Sequence, residues 1–314
     1  SIIYEIRKWE RNSEKKCKIV FTAHDFQWLC PNHMFYIPQT GEVCERCRGG
    51  HYWECVKNSC IHGSKIRSLI GMVEAYYYKI RKTYTLVDTI ICPSQFLYDK
   101  FAENLLLKDK LVVLHNFIKD VPNDSDSKIF QEKTKDNIID EYEKYGFLGA
   151  KPYVLYFGRY DVQKGIKTLI QVCRELPDID FVFAGTGPLE DEFLDIINIT
   201  NVGFQRGEYL RKLIANATFS VYPSEWYENC PFSIMESQML KTPVIGANIG
   251  GIPELIANGK TGLLFEAGNK NALKEAILAL WEDNNTLKVY HDNCRNITFD
   301  STTTYANKII KLYL

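Results

Sequence analysis

Two glutamates, Glu228 and Glu236, stand eight positions apart in the stretch "YENCPFSIME", with Pro231 between them. Proline is favoured in the first turn of a helix, and "SIMESQML" continues at helical spacing, so a helix is expected to begin beside Pro231. Glu228 then lies in the loop before it and Glu236 inside it. The free backbone N–H groups of such a terminus attract anions. An anion between two carboxylates needs cations, and Arg159 and Lys164 in "GRYDVQKG" are the candidates. Carboxylates not engaged with cations accept hydrogen bonds from hydroxyls. The chemistry that fits is recognition of a molecule with phosphates in its middle and sugars at both ends, the layout of a nucleotide-sugar.

The same pair can be read as the acid and base of a glycoside hydrolase. Those carboxyls lie about 5 to 9.5 Å apart, whereas eight residues of helix rise about 12 Å. The spacing suits a diphosphate better than one scissile bond.

These residues need a scaffold. Short apolar runs alternate with longer helical patterns along the chain, the rhythm of parallel sheets covered by helices. "CKIVFTAH", "DTIICPS" and "KLVVLHN" are expected strands, with a helix over about 64–84 between the first two. "IKDVPNDSDSKIFQEKTKDN" loses the apolar period, which places a linker over 119–136. After it "YVLYFGR", "DFVFAGTG", "TNVGF", "ATFSVYPS", "TPVIGA" and "TGLLFEAG" supply the strands of a complete doubly wound domain. Arg159 and Lys164 follow the first of them, where such a sheet collects its ligands. Three strands before the linker make half a domain, so the first is expected to be truncated at its start or unusually small. The expected organisation is an N-terminal domain over 1–118 with a cysteine-rich insert at 30–60, a linker and connecting helix over 119–150, a second domain over 151–299, and a closing helix over 300–314.

Composition narrows the class without naming it. The 314 residues are 46% apolar and 25% charged with a net charge of -1, a soluble globular balance that gives no electrostatic case for nucleic acid. No run approaches the roughly 18 apolar residues of a membrane span. The opening "SIIYEIRKWERNSEKK" is too charged for a signal peptide, so a cytoplasmic location is expected. Of ten cysteines, Cys30, Cys44, Cys47, Cys55 and Cys60 crowd one segment. Without an export signal that crowding argues for a metal site or reduced thiols over a disulfide framework. Cys30, Cys44, Cys47 and Cys60 are the set expected to close a structural zinc site, with reduced thiols as the first alternative and an iron-sulfur cluster or disulfides as the others.

With these features together, the chain resembles glycosyltransferase family 4, retaining enzymes of the GT-B fold. The resemblance rests on "ENCPFSIMESQMLKTPVIGANIGGIPELIANGKTGLLF", which has the family's two glutamates, helix, strand, Gly-Gly turn and Pro-Glu in order, and on "YFGRYDVQKGIKTLI" and "FAGTGPLEDEF". It implies an α/β chain with two Rossmann-like doubly wound domains facing a cleft. By position it implies that Glu236 binds the ribose hydroxyls, Glu228 touches the donor sugar, and Arg159 and Lys164 hold the diphosphate. Gly158, Gly185 and Gly187 would belong to the turns of the donor pocket, and Asn229, Cys230, Pro231, Phe232 and Ser233 to the loop and helix end around the donor. Phe204, Gln205 and Arg206 would line the base pocket. His24, in "AHD", would face the transferred sugar from the first domain. In the implied mechanism the acceptor attacks from the leaving-group face and the departing phosphate takes its proton, while Arg159, Lys164 and the helix terminus stabilise the leaving group. No catalytic metal is expected, since Asp124-Ser-Asp126 and Asp178-Ile-Asp180 read as solvated pairs.

The resemblance implies a nucleotide-sugar donor and a saccharide or lipid-linked acceptor, in envelope or capsule polysaccharide synthesis. "SKIRSLIGMVEAYYYKIRKTY" is basic and aromatic at helical spacing. It reads either as a peripheral membrane contact at the inner face or as an interior helix with snorkelling Lys and Arg. Alternatives to transfer are a nucleotide-sugar-binding protein without activity, a GT-B epimerase or phosphorylase, and an interaction module built on the cysteine insert.

Overall fold

The computed structural model describes residues 2–119 and 151–314. The connecting helix and, past Lys119, the linker expected before residue 151 lie outside the described residues, as does Asp124-Ser-Asp126. The chain forms two compact units: Ser1–Asn116, Trp226–Cys230 and Thr303–Leu314 make the first, Phe117–Glu225 and Pro231–Thr302 the second.

In unit 1, α1 (Ile2–Ser13) is tied down through Arg7, whose Nη2 reaches Asp88 Oδ2 and the Leu86 carbonyl, each at 2.6 Å. It leads to β1 (Val20–Thr22) and then to the cysteine-rich insert, which holds a two-residue hairpin of β2 (Tyr36–Ile37) and β3 (Glu42–Val43) and the short α2 (Trp53–Lys57). Next come α3 (Lys65–Ile80), β4 (Thr89–Cys92), α4 (Gln95–Ala102) and β5 (Leu111–Val113). Ser64 and Ser94 cap α3 and α4, their hydroxyls accepting from the N–H groups of Arg67 and Leu97, which satisfies donors that a helix start leaves unpaired. The sheet is parallel in the order β1-β4-β5, pairing Val20 with Thr89 and Ile90 with Leu111. Its core gathers Phe26, Trp28, Ile90, Leu97 and Phe101. Trp28 stacks on Phe21 at 4.6 Å and on Tyr84 at 4.1 Å between ring centroids, holding the start of the insert to the sheet.

Unit 2 contains β6 (Val154–Phe157), α5 (Ile166–Glu175), β7 (Phe181–Ala184), β8 (Ile199–Asn201), α6 (Gly207–Asn216), β9 (Phe219–Tyr222), α7 (Phe232–Met239), β10 (Val244–Ala247), β11 (Gly262–Phe265), α8 (Lys270–Trp281) and α9 (Asn284–Cys294). The six strands are parallel in the order β11-β10-β9-β6-β7-β8. Every residue of β6, β7, β9 and β10 is buried, as expected of strands covered on both faces, which is why they read as continuous apolar runs. The chain runs outward from β6 to β7 and β8, then returns to place β9 on the other side of β6. That reversal makes the carboxyl ends of β6 and β9 the switch point where an open α/β sheet opens a crevice for ligand. The last helix, α10 (Thr302–Tyr313), buries Tyr305.

Candidate functional site

The switch point of unit 2 is built by close backbone approach. A Cβ on Gly185, just after β7, would lie 1.8 Å from the Gly158 carbonyl oxygen, and one on Gly187 would lie 2.5 Å from that of Tyr160. No side chain fits at either place. Gly158 itself, at φ 150°, turns the chain at the end of β6. Beyond that turn the Arg159 side chain is 71% exposed, with Nε 2.5 Å from Asp161 Oδ2. Lys164 sits at the end of β9, its Nζ 3.4 Å from the Tyr222 hydroxyl. Gly165, at φ 72°, follows, and a side chain there would meet the Pro223 carbonyl oxygen at 1.8 Å. The turn carrying Lys164 is further pinned by the Glu225 N–H, which donates to Gln163 O at 2.9 Å.

From the same edge of the sheet, α7 starts after Pro231, whose φ of -69° and ψ of 123° end the extended chain. The N-cap residue, Pro231, has no side-chain acceptor to offer the N–H groups of the first turn, and such groups at a helix start are where an anion is favoured. Phe232 is exposed and Ser233 half-buried at that end, while Ile234 and Met235 are fully buried. Ser237 Oγ meets Ser220 Oγ of β9 at 2.7 Å and Gln238 Nε2 donates to the Leu255 carbonyl at 2.9 Å, fixing the rotation of the helix. That rotation leaves Glu236 half-buried. Burial pushes its carboxyl above the ordinary range, and Arg211 on α6 offsets this only in part. The Phe204–Arg206 segment lies between β8 and α6: Phe204 is 67% exposed, Gln205 Nε2 donates to the Val202 carbonyl, and Arg206 precedes the first turn of α6. Unit 2 therefore carries Gly158, Arg159, Lys164, Gly185, Gly187, Phe204, Gln205, Arg206, Pro231, Phe232, Ser233 and Glu236.

The other expected residues belong to unit 1. His24 follows β1 and is exposed, and its carbonyl accepts from Asn229 Nδ2 at 2.8 Å. Asn116 holds the end of the same loop, donating through Nδ2 to the Cys230 carbonyl at 2.8 Å. Glu228 Oε1 accepts from Trp226 Nε1 at 2.6 Å. Between them Tyr227 is the anchor that inspection of the sequence missed. Its ring packs among Phe26, Phe35 and Phe96, with centroids 4.7 Å from Phe96. Its hydroxyl donates to Glu45 Oε1 at 2.7 Å. Burial raises the Glu45 pKa, but hydrogen bonds from Lys100, Tyr227 and Arg48 outweigh it and hold the carboxyl below its usual range. The only signal for this in the sequence is an acidic residue inside the Cys44–Cys47 turn.

The cysteines of the insert depart from expectation. Among the described residues no group of three or more His, Cys, Asp or Glu side chains is arranged to hold a metal ion. Cys30, Cys44, Cys47 and Cys60 are thus not arranged as the ligand set that their spacing suggested, although Cys44, Cys47 and Cys60 share one small core. The thiols are neighbours in pairs, Cys47 beside Cys30 and Cys60 beside Cys55, a residue outside the expected set, and Cys30 Sγ donates to Asn32 Oδ1 at 2.8 Å. Cys44 stays half-exposed. The Cys47 thiol, with the backbone N–H groups of Asn32, Met34 and Phe35, draws Cys30 down to about 7 against its burial, while Cys47 is pushed up. Ile37, Tyr52, Val56 and Met72 complete this small apolar core.

Comparison with known proteins gives this arrangement a context. The family described as Glycosyl transferases group 1 matches residues 137–297. An uncharacterised glycosyltransferase of Methanocaldococcus jannaschii is 26% identical over 240 residues, 74% of this chain and 60% of that protein. The alpha-D-kanosaminyltransferase of Streptomyces kanamyceticus is 30% identical over 152 residues, 45% of this chain and 39% of that one. The chain thus spans less than two thirds of the length of either relative. Among solved structures, Anabaena HepE in complex with UDP superposes with a TM-score of 0.67 at 18% identity, covering 99% of this chain and 75% of that chain. The fold is α/β and GT-B-like.

Proposed function

Because the chain belongs to the Glycosyl transferases group 1 family, we propose that it transfers a sugar from a nucleoside-diphosphate sugar to a saccharide or lipid-linked acceptor, as a retaining member of family 4. The observation that carries the reading is the start of α7 at Pro231, on the switch-point edge of unit 2, with Glu236 half-buried in the same helix. The helix terminus binds the diphosphate, Arg159 and Lys164 add charge as it leaves, and Glu236 accepts from the ribose. Glu228 and His24 act on the transferred sugar, and the acceptor attacks from the face the phosphate leaves. The solved relative bound to UDP supports a nucleotide donor. An uncharacterised 41.2 kDa protein in the cps region of Klebsiella pneumoniae, 28% identical over 202 residues, 63% of this chain and 53% of that protein, supports envelope or capsule polysaccharide as the pathway. Contact with the periphery of a membrane belongs to the same proposal, because a lipid-linked acceptor requires it.

Thermal unfolding against UDP, GDP, ADP and their sugars tests the donor. One nucleotide present at a hundred times its dissociation constant should add about 2.7 kcal/mol of stability. No response to any of them, with the protein folded, would sink the reading. For the nucleotide that binds, the anomeric configuration of the product by NMR decides retention, and an inverted product would overturn that part alone.

A further inference from the structure

We propose that the outward face of α3 docks on an anionic phospholipid surface. One side of this 16-residue helix is anchored, with Ser68 and Met72 buried and Tyr76 packed on the cysteine core. On the other, Ile66, Leu69, Ile70, Val73, Tyr77 and Ile80 recur at intervals of three and four. At about 100° per residue they form one stripe along the helix. All six are between 42% and 78% exposed, where an interior helix would have buried them. A continuous apolar strip of this kind marks an interaction surface rather than ordinary scatter.

Charge selects the occupant. From Lys65 to Lys82 the chain carries five basic residues, Lys65, Arg67, Lys79, Arg81 and Lys82, against one acidic residue, Glu74. They stand at the two ends of the stripe and frame it. Lys79 is tied to the Gly49 carbonyl at 2.8 Å and Arg81 lies over the Tyr4 ring at 4.5 Å, which leaves Lys65, Arg67 and Lys82 to meet external anions. A second copy of the face would set like charges against each other at both ends of the contact, whichever way the two helices ran. An anionic bilayer interface offers phosphates at the height of the basic residues and acyl chains beneath the stripe. Tyr77 and Tyr78, close to the end of α3, are amphipathic and suited to that boundary. A cavity of about 480 Å³ adjoins the same end, with Tyr78, Lys79 and Lys82 on one wall and exposed Leu106 on another, so basic and apolar groups continue past the helix. Among the described residues no helix is long and apolar enough to cross a membrane, so the contact lies in the interface plane.

This surface deepens the membrane contact of the acceptor reading and rests on it for purpose. Vesicle binding needs neither donor nor acceptor, so the two fail separately. The 314-residue chain should sediment with phosphatidylcholine vesicles containing about a third phosphatidylglycerol at low salt, and at least tenfold less with phosphatidylcholine alone. The double variant Ile70→Glu/Val73→Glu should lose binding tenfold or more with an unchanged circular dichroism spectrum, since both side chains are exposed. Lys65→Glu/Lys82→Glu should weaken binding without touching the stripe. Binding to neither vesicle, or equal binding by the Ile70→Glu/Val73→Glu variant, overturns the proposal. A concentration-dependent dimer in sedimentation velocity that this variant abolishes overturns it in favour of a second copy.

Discussion

Glu236 is placed where its charge is disfavoured: half-buried on α7, with Arg211 compensating only in part, its carboxyl is raised by desolvation. An acid whose folded pKa exceeds its unfolded one binds more protons when folded, so its contribution to stability is greatest at low pH and is lost as the pH rises through the folded value. At neutral pH the ionised side chain therefore weighs against folding. Glu236→Gln should raise the Tm of the ligand-free protein at pH 7.5, and the gain should vanish below about pH 4.3, where the carboxyl is protonated in both states. The ligand reverses the balance. Glu236→Ala removes acceptors for the ribose hydroxyls and should lose about 1.5 to 3 kcal/mol of nucleotide affinity, roughly 10- to 150-fold in Kd. Calorimetric titration and thermal unfolding read both halves. Unchanged affinity in the alanine variant, or a lowered Tm in the glutamine variant, would show that Glu236 is ordinary packing.

At the scale of elements, the insert shows what spacing predicts and what it does not. A CxxC with flanking cysteines satisfies a count of zinc ligands, but ligation depends on where β2, β3 and α2 carry the sulfurs, and here they arrive as two neighbouring pairs with Cys44 half-exposed beside them. None of the ten cysteines forms a disulfide. Thiol titration of tag-free protein in denaturant should accordingly count ten, with no stoichiometric zinc released. A full equivalent of zinc that falls away in Cys30→Ser would mean that the pairs and Cys44 draw together around an ion. Other elements were legible for physical reasons. The strands of unit 2 are buried on both faces and read as apolar runs, and the start of α7 follows from a proline that favours a first turn. The place of Trp226–Cys230 in unit 1 was not legible, because it depends on a hydrogen bond between Tyr227 and Glu45, 182 positions apart, and on rings brought together only by folding. The exposed face of α3 has the same origin: an amphipathic pattern tells which residues share a side, and packing decides which side is covered.

At the scale of the whole molecule, the chain passes between units after Asn116, Glu225, Cys230 and Thr302, yet each unit has its own apolar core. The residues assigned to phosphate and ribose all lie in unit 2, while the loop with Glu228 is held in unit 1 by Tyr227, Asn229 and Cys230. Ligand and loop should therefore report on different parts of an unfolding curve. Scanning calorimetry is expected to resolve two transitions rather than one. A saturating nucleotide should raise the transition of unit 2 alone, since stabilisation by mass action acts only on the body that binds. Tyr227→Phe keeps the ring among its aromatic neighbours and removes the hydroxyl that Glu45 accepts, so it should lower the other transition by about 1 kcal/mol and leave the nucleotide shift intact. With Glu228 next in the chain, the variant should also lower kcat more than it raises KM for the donor, because the loop is loosened while the nucleotide pocket is not. A single transition moved by both changes would make the two units one cooperative body, and a kcat left at the wild-type level would remove Tyr227 from the positioning of Glu228.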